Sequence, residues 1–133
     1  KMWAGWRLLH LRARMPALFQ LGGYEALEAT GRHAEHVVAF ARRHEGRAVL
    51  VVVVRLFVAC ATAVGGPARW RGRAWRASAW ADTRVRLPKD LAGSTMTDCL
   101  TGRRRTVEPE LPLSGLLTHF PGAVMLSEAP ADA

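Results

Sequence analysis

Eleven carboxylates, five histidines and two cysteines are the side chains here whose types could do covalent, acid–base or metal chemistry. A general acid–base pair needs two carboxyl groups that converge, with an apolar environment raising the pKa of one. Glu25 and Glu28 lie three apart, so an extended backbone puts them on opposite faces. Glu108 and Glu110 would share a face, but they straddle Pro109 in a polar loop with nothing apolar to shift a pKa. Asp82 and Asp98 fall at strand edges, and all of these read as solvated surface carboxylates. His33 and His36 form H-x-x-H, with His44 across a proposed hairpin. On a strand that pair faces opposite sides, and a zinc site would need Glu35 or Cys60 to converge as further ligands. His10 and His119 are singletons. Cys60 and Cys99 fall in apolar strands that bury them as inert thiols, and no Ser-His-Asp or Cys-His order marks a nucleophile. The glycines form no phosphate loop. The expected catalytic set, metal set and cofactor set are therefore all empty.

The loop "RWRGRAWRASAW", residues 69–80, has another kind of chemistry. Arginines interleaved with Trp70, Trp75 and Trp80 can stack bases and neutralise phosphates, as single-strand binders do. The same rings can stack on the flat C–H face of a pyranose, or simply pack. Trp80 opens the alternating segment "WADTRVRLP" and reads as an anchor into its own core, whereas Trp70 and Trp75 read first as packing against a neighbouring domain and second as candidates for ligand contact.

The elements that position these residues follow from periodicity. Met2, Trp6, Leu9 and Ala13 recur at helical spacing, Arg7, Arg12 and Arg14 occupy other faces, and Pro16 closes the segment. After the turn at Gly22–Gly23, "YEALEATG" is a short strand ending at Gly31. The run 35–42 and the run from Arg47 onward flank Arg43-His44-Glu45-Gly46, a hairpin signature. Only Arg55 interrupts the apolar residues from Ala48 to Ala61. A spanning helix needs about 20 apolar residues, and a central arginine costs about 2.5–3.5 kcal/mol on insertion scales. The run is rich in valine, so it reads as a strand covered on both faces and not as a span. Within it Arg55 is expected to be buried, with Asp82, Asp98 or backbone carbonyls as its partners. "DTRVRLP" alternates cleanly, "MTDCLTG" is a strand closed by Gly102, Pro109 and Pro112 frame an edge, "LSGLLTHF" makes a helical turn, and "AVMLSE" is a last strand. One helix followed by six or seven short strands predicts a mainly β chain: an antiparallel β-sandwich with one leading N-terminal α-helix.

Composition agrees with a packed domain. The chain has 133 residues, 50% hydrophobic and 23% charged, enough for one domain with a real core. A net charge of +8 suits an acidic partner, but with only two lysines, Lys1 and Lys89, the surplus also fits a plain arginine bias. Two distant cysteines form no disulfide framework, which places the chain most simply in a reducing cytoplasm. The first residues lack the apolar core of a signal peptide, and the chain reads as starting inside something larger.

Taken in order, "LLHLRARMPALFQLGGYEAL", "GRHAEHVVAFAR", "VVVVRL", "WADTRVRLP", "CLTG" and "LPLSGLLTHFPGAVM" cover nearly the whole chain. In order and spacing they resemble the C-terminal region of the maltooligosyltrehalose synthases, in the α-amylase superfamily (glycoside hydrolase family 13). Val54, Met96 and Gly122 depart from that pattern and are expected to loosen strand ends. The resemblance implies that residues 1–16 are the terminal helix of an absent catalytic (β/α)8 barrel and 17–133 an accessory β-sandwich. It implies a whole enzyme that turns the reducing-end α-1,4 bond of a maltooligosaccharide into an α,α-1,1 bond, in trehalose biosynthesis. The carboxylates of that retaining chemistry lie on barrel strands, so none is carried over to this chain. The implied partner is the barrel, with maltooligosaccharide as a further one; nucleic acid and membrane are not implied. Trp70 and Trp75 then pack first against the barrel, with sugar contact as the second reading. The rival reading is a free-standing basic β module that binds nucleic acid or glycans through the Arg/Trp loop.

Overall fold

A computed structural model describes residues 2–55, 80, 82–117 and 122–128. Helix α1 (Met2–Arg14) is followed by the short α2 (Pro16–Gln20), then nine strands. These are β1 (Gly23–Leu27), β2 (Ala29–Thr30), β3 (Val37–His44), β4 (Arg47–Val54), β5 (Arg84–Arg86), β6 (Thr95–Asp98), β7 (Arg104–Thr106), β8 (Glu110–Pro112) and β9 (Gly122–Ser127). They form a six-stranded sheet, ordered β1-β3-β4-β9-β6-β7, and a three-stranded sheet, ordered β2-β5-β8, with all pairings antiparallel. The chain is a mainly β, two-sheet sandwich with a leading helix.

The valine-rich run explains the layering. Along β4, Leu50 and Val52 face the main core, where they meet Trp80, Val85, Leu111 and Leu117 from the side of the smaller sheet. Val49 faces the other way, into a second cluster with Ala4, Leu11 and Leu18 of the helices and Val124 of β9. Alternate side chains of one strand thus enter two cores, which is why the run is apolar throughout and does not alternate. No helix among the described residues is long and apolar enough to cross a membrane.

The β3–β4 hairpin is joined by Glu45-Gly46 alone, with φ of 48° and 76°. Two left-handed residues in a two-residue loop make a type I′ turn, whose twist matches that of the flanking strands. "YEALEATG" splits at Glu28: β1 pairs with β3 in the large sheet, while β2 pairs with β5 in the small one. Gly31 (φ 100°) turns the chain there, and a Cβ on it would stand 2.6 Å from the Asp82 carbonyl oxygen.

Several expectations are corrected. Pro16 begins α2 instead of ending the helical region, since its missing N–H costs nothing in a first turn. The segment 113–117 is a turn and not a helix. The last strand, β9, lies in the middle of the large sheet between β4 and β6. β7 is an added edge strand, after a turn in which Asp98 Oδ1 accepts from the Leu100 N–H (2.9 Å) and Thr101 Oγ1 donates to Asp98 Oδ2 (3.1 Å). At the three departures, Val54 is the last residue of β4 and pairs with Val37, Gly122 opens β9 and pairs with Val53, and Met96 is wholly buried in the main core.

Candidate interaction surface

Helix α1 buries one stripe and exposes another. Ala4, Leu8 and Leu11, at helical spacing, pack with Leu18, Val49 and Val124. The opposite side carries Met2 (90% exposed), Trp3 (52%), Trp6 (56%) and Leu9 (66%). Arg7 lies over the Trp3 ring, 5.5 Å from its centroid, and His10 stacks on Trp6 at 4.1 Å between centroids. Four large apolar side chains over fewer than three turns form a patch of the kind that marks an interaction site. The helical spacing of Met2, Trp6 and Leu9 was legible in the sequence, though periodicity alone does not say whether that stripe faces the sheet.

The candidate residues scatter. Trp70 and Trp75, and with them the Arg/Trp loop apart from Trp80, lie outside the described residues, as do Cys60 and His119. Trp80 is wholly buried in the main core, edge-on to His33 with ring centroids 6.3 Å apart. Arg55 is not buried. It follows the last residue of β4 and is exposed, its N–H donating to the His36 carbonyl (2.8 Å) and its Nε to the Glu35 carbonyl (2.6 Å). Backbone oxygens are thus its partners, and Asp82 and Asp98 are engaged elsewhere. Asp82 is exposed and accepts from the Arg32 N–H (3.0 Å), and that bond holds its carboxyl below the usual range.

The carboxylate pairs do not form. Arg43 bonds Glu25 (2.6 Å) and Asp90, and Arg86 bonds Glu28 (3.2 Å), so Glu25 and Glu28 are tied in different places. Glu128 is held by both nitrogens of the Arg104 fork, which lowers its pKa. A general acid needs the opposite displacement. His33 and His36 lie in and beside a 3-10 turn (Ala34–His36) and not on a strand, so both are buried, with rings 6.3 Å apart. No group of three potential metal ligands occurs among the described residues. Cys99 is half-buried; burial pushes its thiol up, away from a reactive thiolate.

No family model matches the chain, and no curated protein does. Two solved structures are similar: maltooligosyltrehalose synthase from Arthrobacter ramosus and a point mutant of it. Each superposes with a TM-score of 0.62 at 26% identity, over 92% of this chain and 13% of the longer one. The chain thus spans about an eighth of the length of these structures.

Proposed function

We propose that the chain is a non-catalytic accessory domain of a maltooligosyltrehalose synthase-like protein, of the kind that follows a glycoside hydrolase family 13 barrel, acting in the cytoplasm. The likeness over 92% of this chain to a small part of that enzyme carries the reading. Two features support it. The described carboxylates form no acid–nucleophile pair, and α1 exposes Met2, Trp3, Trp6 and Leu9 on the side turned away from the described core. In this reading residues 1–16 belong to the barrel's last helix, and the exposed stripe packs against the barrel wall. The whole protein would convert the reducing-end α-1,4 bond of maltooligosaccharides to an α,α-1,1 bond, with this domain holding the barrel and bordering the glucan cleft.

A graft tests this. The 133-residue chain replaces the superposing segment of the Arthrobacter ramosus enzyme, and non-reducing product from maltopentaose is measured. The graft turns over and the isolated chain does not. Turnover by the isolated chain, or a soluble, cooperatively melting graft with none, overturns the reading.

A further inference from the structure

A second feature of α1 lies beside the apolar stripe and shares Trp6 with it. Arg7, His10 and Arg14 recur at i, i+3 and i+7, which places them along one flank between the buried and the exposed faces. That flank walls a cleft of about 550 Å³ whose other side is built from Arg47, which opens β4, and the turn at Asp98–Cys99. Arg7 Nε donates to the Cys99 carbonyl (2.9 Å), which fixes the guanidinium at the cleft wall. Among the described residues Arg47 Nε is buried without a hydrogen-bond partner, and its Nη2 lies 4.0 Å from Met15 Sδ.

Charge in the cleft is not compensated from within. Among the described residues no ion pair engages Arg7, Arg14 or Arg47. The two carboxylates in the lining are already used. Asp98 accepts from Leu100, Thr101 and Val124, and Glu128 is gripped by Arg104. A part-buried guanidinium without an anion is costly, and its planar fork matches a tetrahedral oxyanion. The volume lies in the range of small-ligand sites, larger than inorganic phosphate requires. Trp6, on the rim and half exposed, offers a flat ring to whatever the oxyanion is attached to.

We propose that this cleft binds a small phosphorylated molecule, with Arg7, Arg14 and Arg47 holding the phosphate and Trp6 covering the flat apolar face of its organic part. The inference does not depend on the synthase reading.

The test is calorimetric titration of the 133-residue chain at low salt with inorganic phosphate, glucose 6-phosphate and glucose, and with vesicles containing phosphatidic acid as the lipid-borne source of the same phosphate monoester. Phosphate and the sugar phosphate bind, the sugar phosphate more tightly, and glucose and vesicles do not. Removing one charge-assisted hydrogen bond to the phosphate weakens binding by about tenfold or more, and Arg14→Gln and Arg47→Met both show that effect. Arg12→Gln and Arg84→Gln, exposed arginines outside the cleft, leave affinity unchanged. Trp6→Ala removes the advantage of the sugar phosphate and spares inorganic phosphate. Arg14 is exposed on the helix, so its variant keeps the test decisive should Arg47→Met fail to fold. No binding of either phosphate, equal weakening in the control variants, or preference for the vesicles overturns the proposal.

Discussion

At the scale of residues, burial and hydrogen bonding decide what each charged group does. Arg55 sits in solvent against two backbone carbonyls, so Arg55→Met loses an exposed bond worth about 0.5–1 kcal/mol, visible as a small drop in Tm. A loss several times larger would put the guanidinium back in the core. His33 is one group that makes stability depend on pH. Burial, with Arg32 and His36 nearby, lowers its pKa below the ordinary 6.5. The unfolded chain therefore binds the proton more readily, and His33 contributes stability above about pH 6.5 that is lost as the pH falls through its folded pKa. Denaturant melts at pH 7.5 and 5.5, a window above the carboxylate range, should show lower stability at 5.5, with a smaller difference in His33→Gln. An unchanged difference would assign the effect elsewhere. Arg55 also shows where reading from sequence stops. Its apolar neighbours argued for burial, yet the strand ends one residue before it, and an apolar run does not mark the point where pairing ends.

Among the elements, those set by local chemistry were legible and those set by long-range pairing were not. The β3–β4 hairpin follows from Arg43-His44-Glu45-Gly46 between two apolar runs, although Arg43 and His44 belong to β3 and only Glu45-Gly46 turns, and α1 follows from its periodicity. The central position of β9 and the splitting of "YEALEATG" between two sheets depend on partners distant in the sequence, such as Val49 for Leu126, Asp98 for Met125 and Val85 for Ala29, which no local pattern encodes. Nor did sequence reveal the cleft, because Arg7 and Arg14 meet Arg47 only in the fold, although the i, i+3, i+7 spacing was available. The two glycine turns give a paired prediction. Gly46 has open space around an added Cβ, so Gly46→Ala costs only the left-handed strain, about 1–2 kcal/mol. Gly31→Ala adds a clash with the backbone of Asp82 and Thr83 and should cost clearly more. Glu45→Asn, better suited to φ 48°, should stabilise by about 0.5 kcal/mol. Denaturant midpoints of the three variants give the order; Gly46→Ala as the most damaging would show that the turn, and not the Gly31 junction, limits stability.

At the scale of the molecule, the described residues of α1 present one covered stripe and one bare one. β4 is covered on both faces, by the small sheet and by α1 and α2. α1 shields the large sheet with one stripe and leaves Met2, Trp3, Trp6 and Leu9 to solvent. Burying such side chains is worth about 1.5–3 kcal/mol each, so a bare stripe drives association unless another domain covers it. The most direct measurement is oxidative footprinting of the 133-residue chain, read residue by residue, alongside sedimentation velocity over a range of concentrations. At low concentration Trp3 and Trp6 should oxidise readily while Trp80 is protected. Association should grow with concentration and be relieved in the Trp3→Ser/Trp6→Ser variant. A monomer at high concentration with Trp3 and Trp6 as protected as Trp80 would contradict the account, for the helix would then be folded onto its own sandwich with no face left for a barrel.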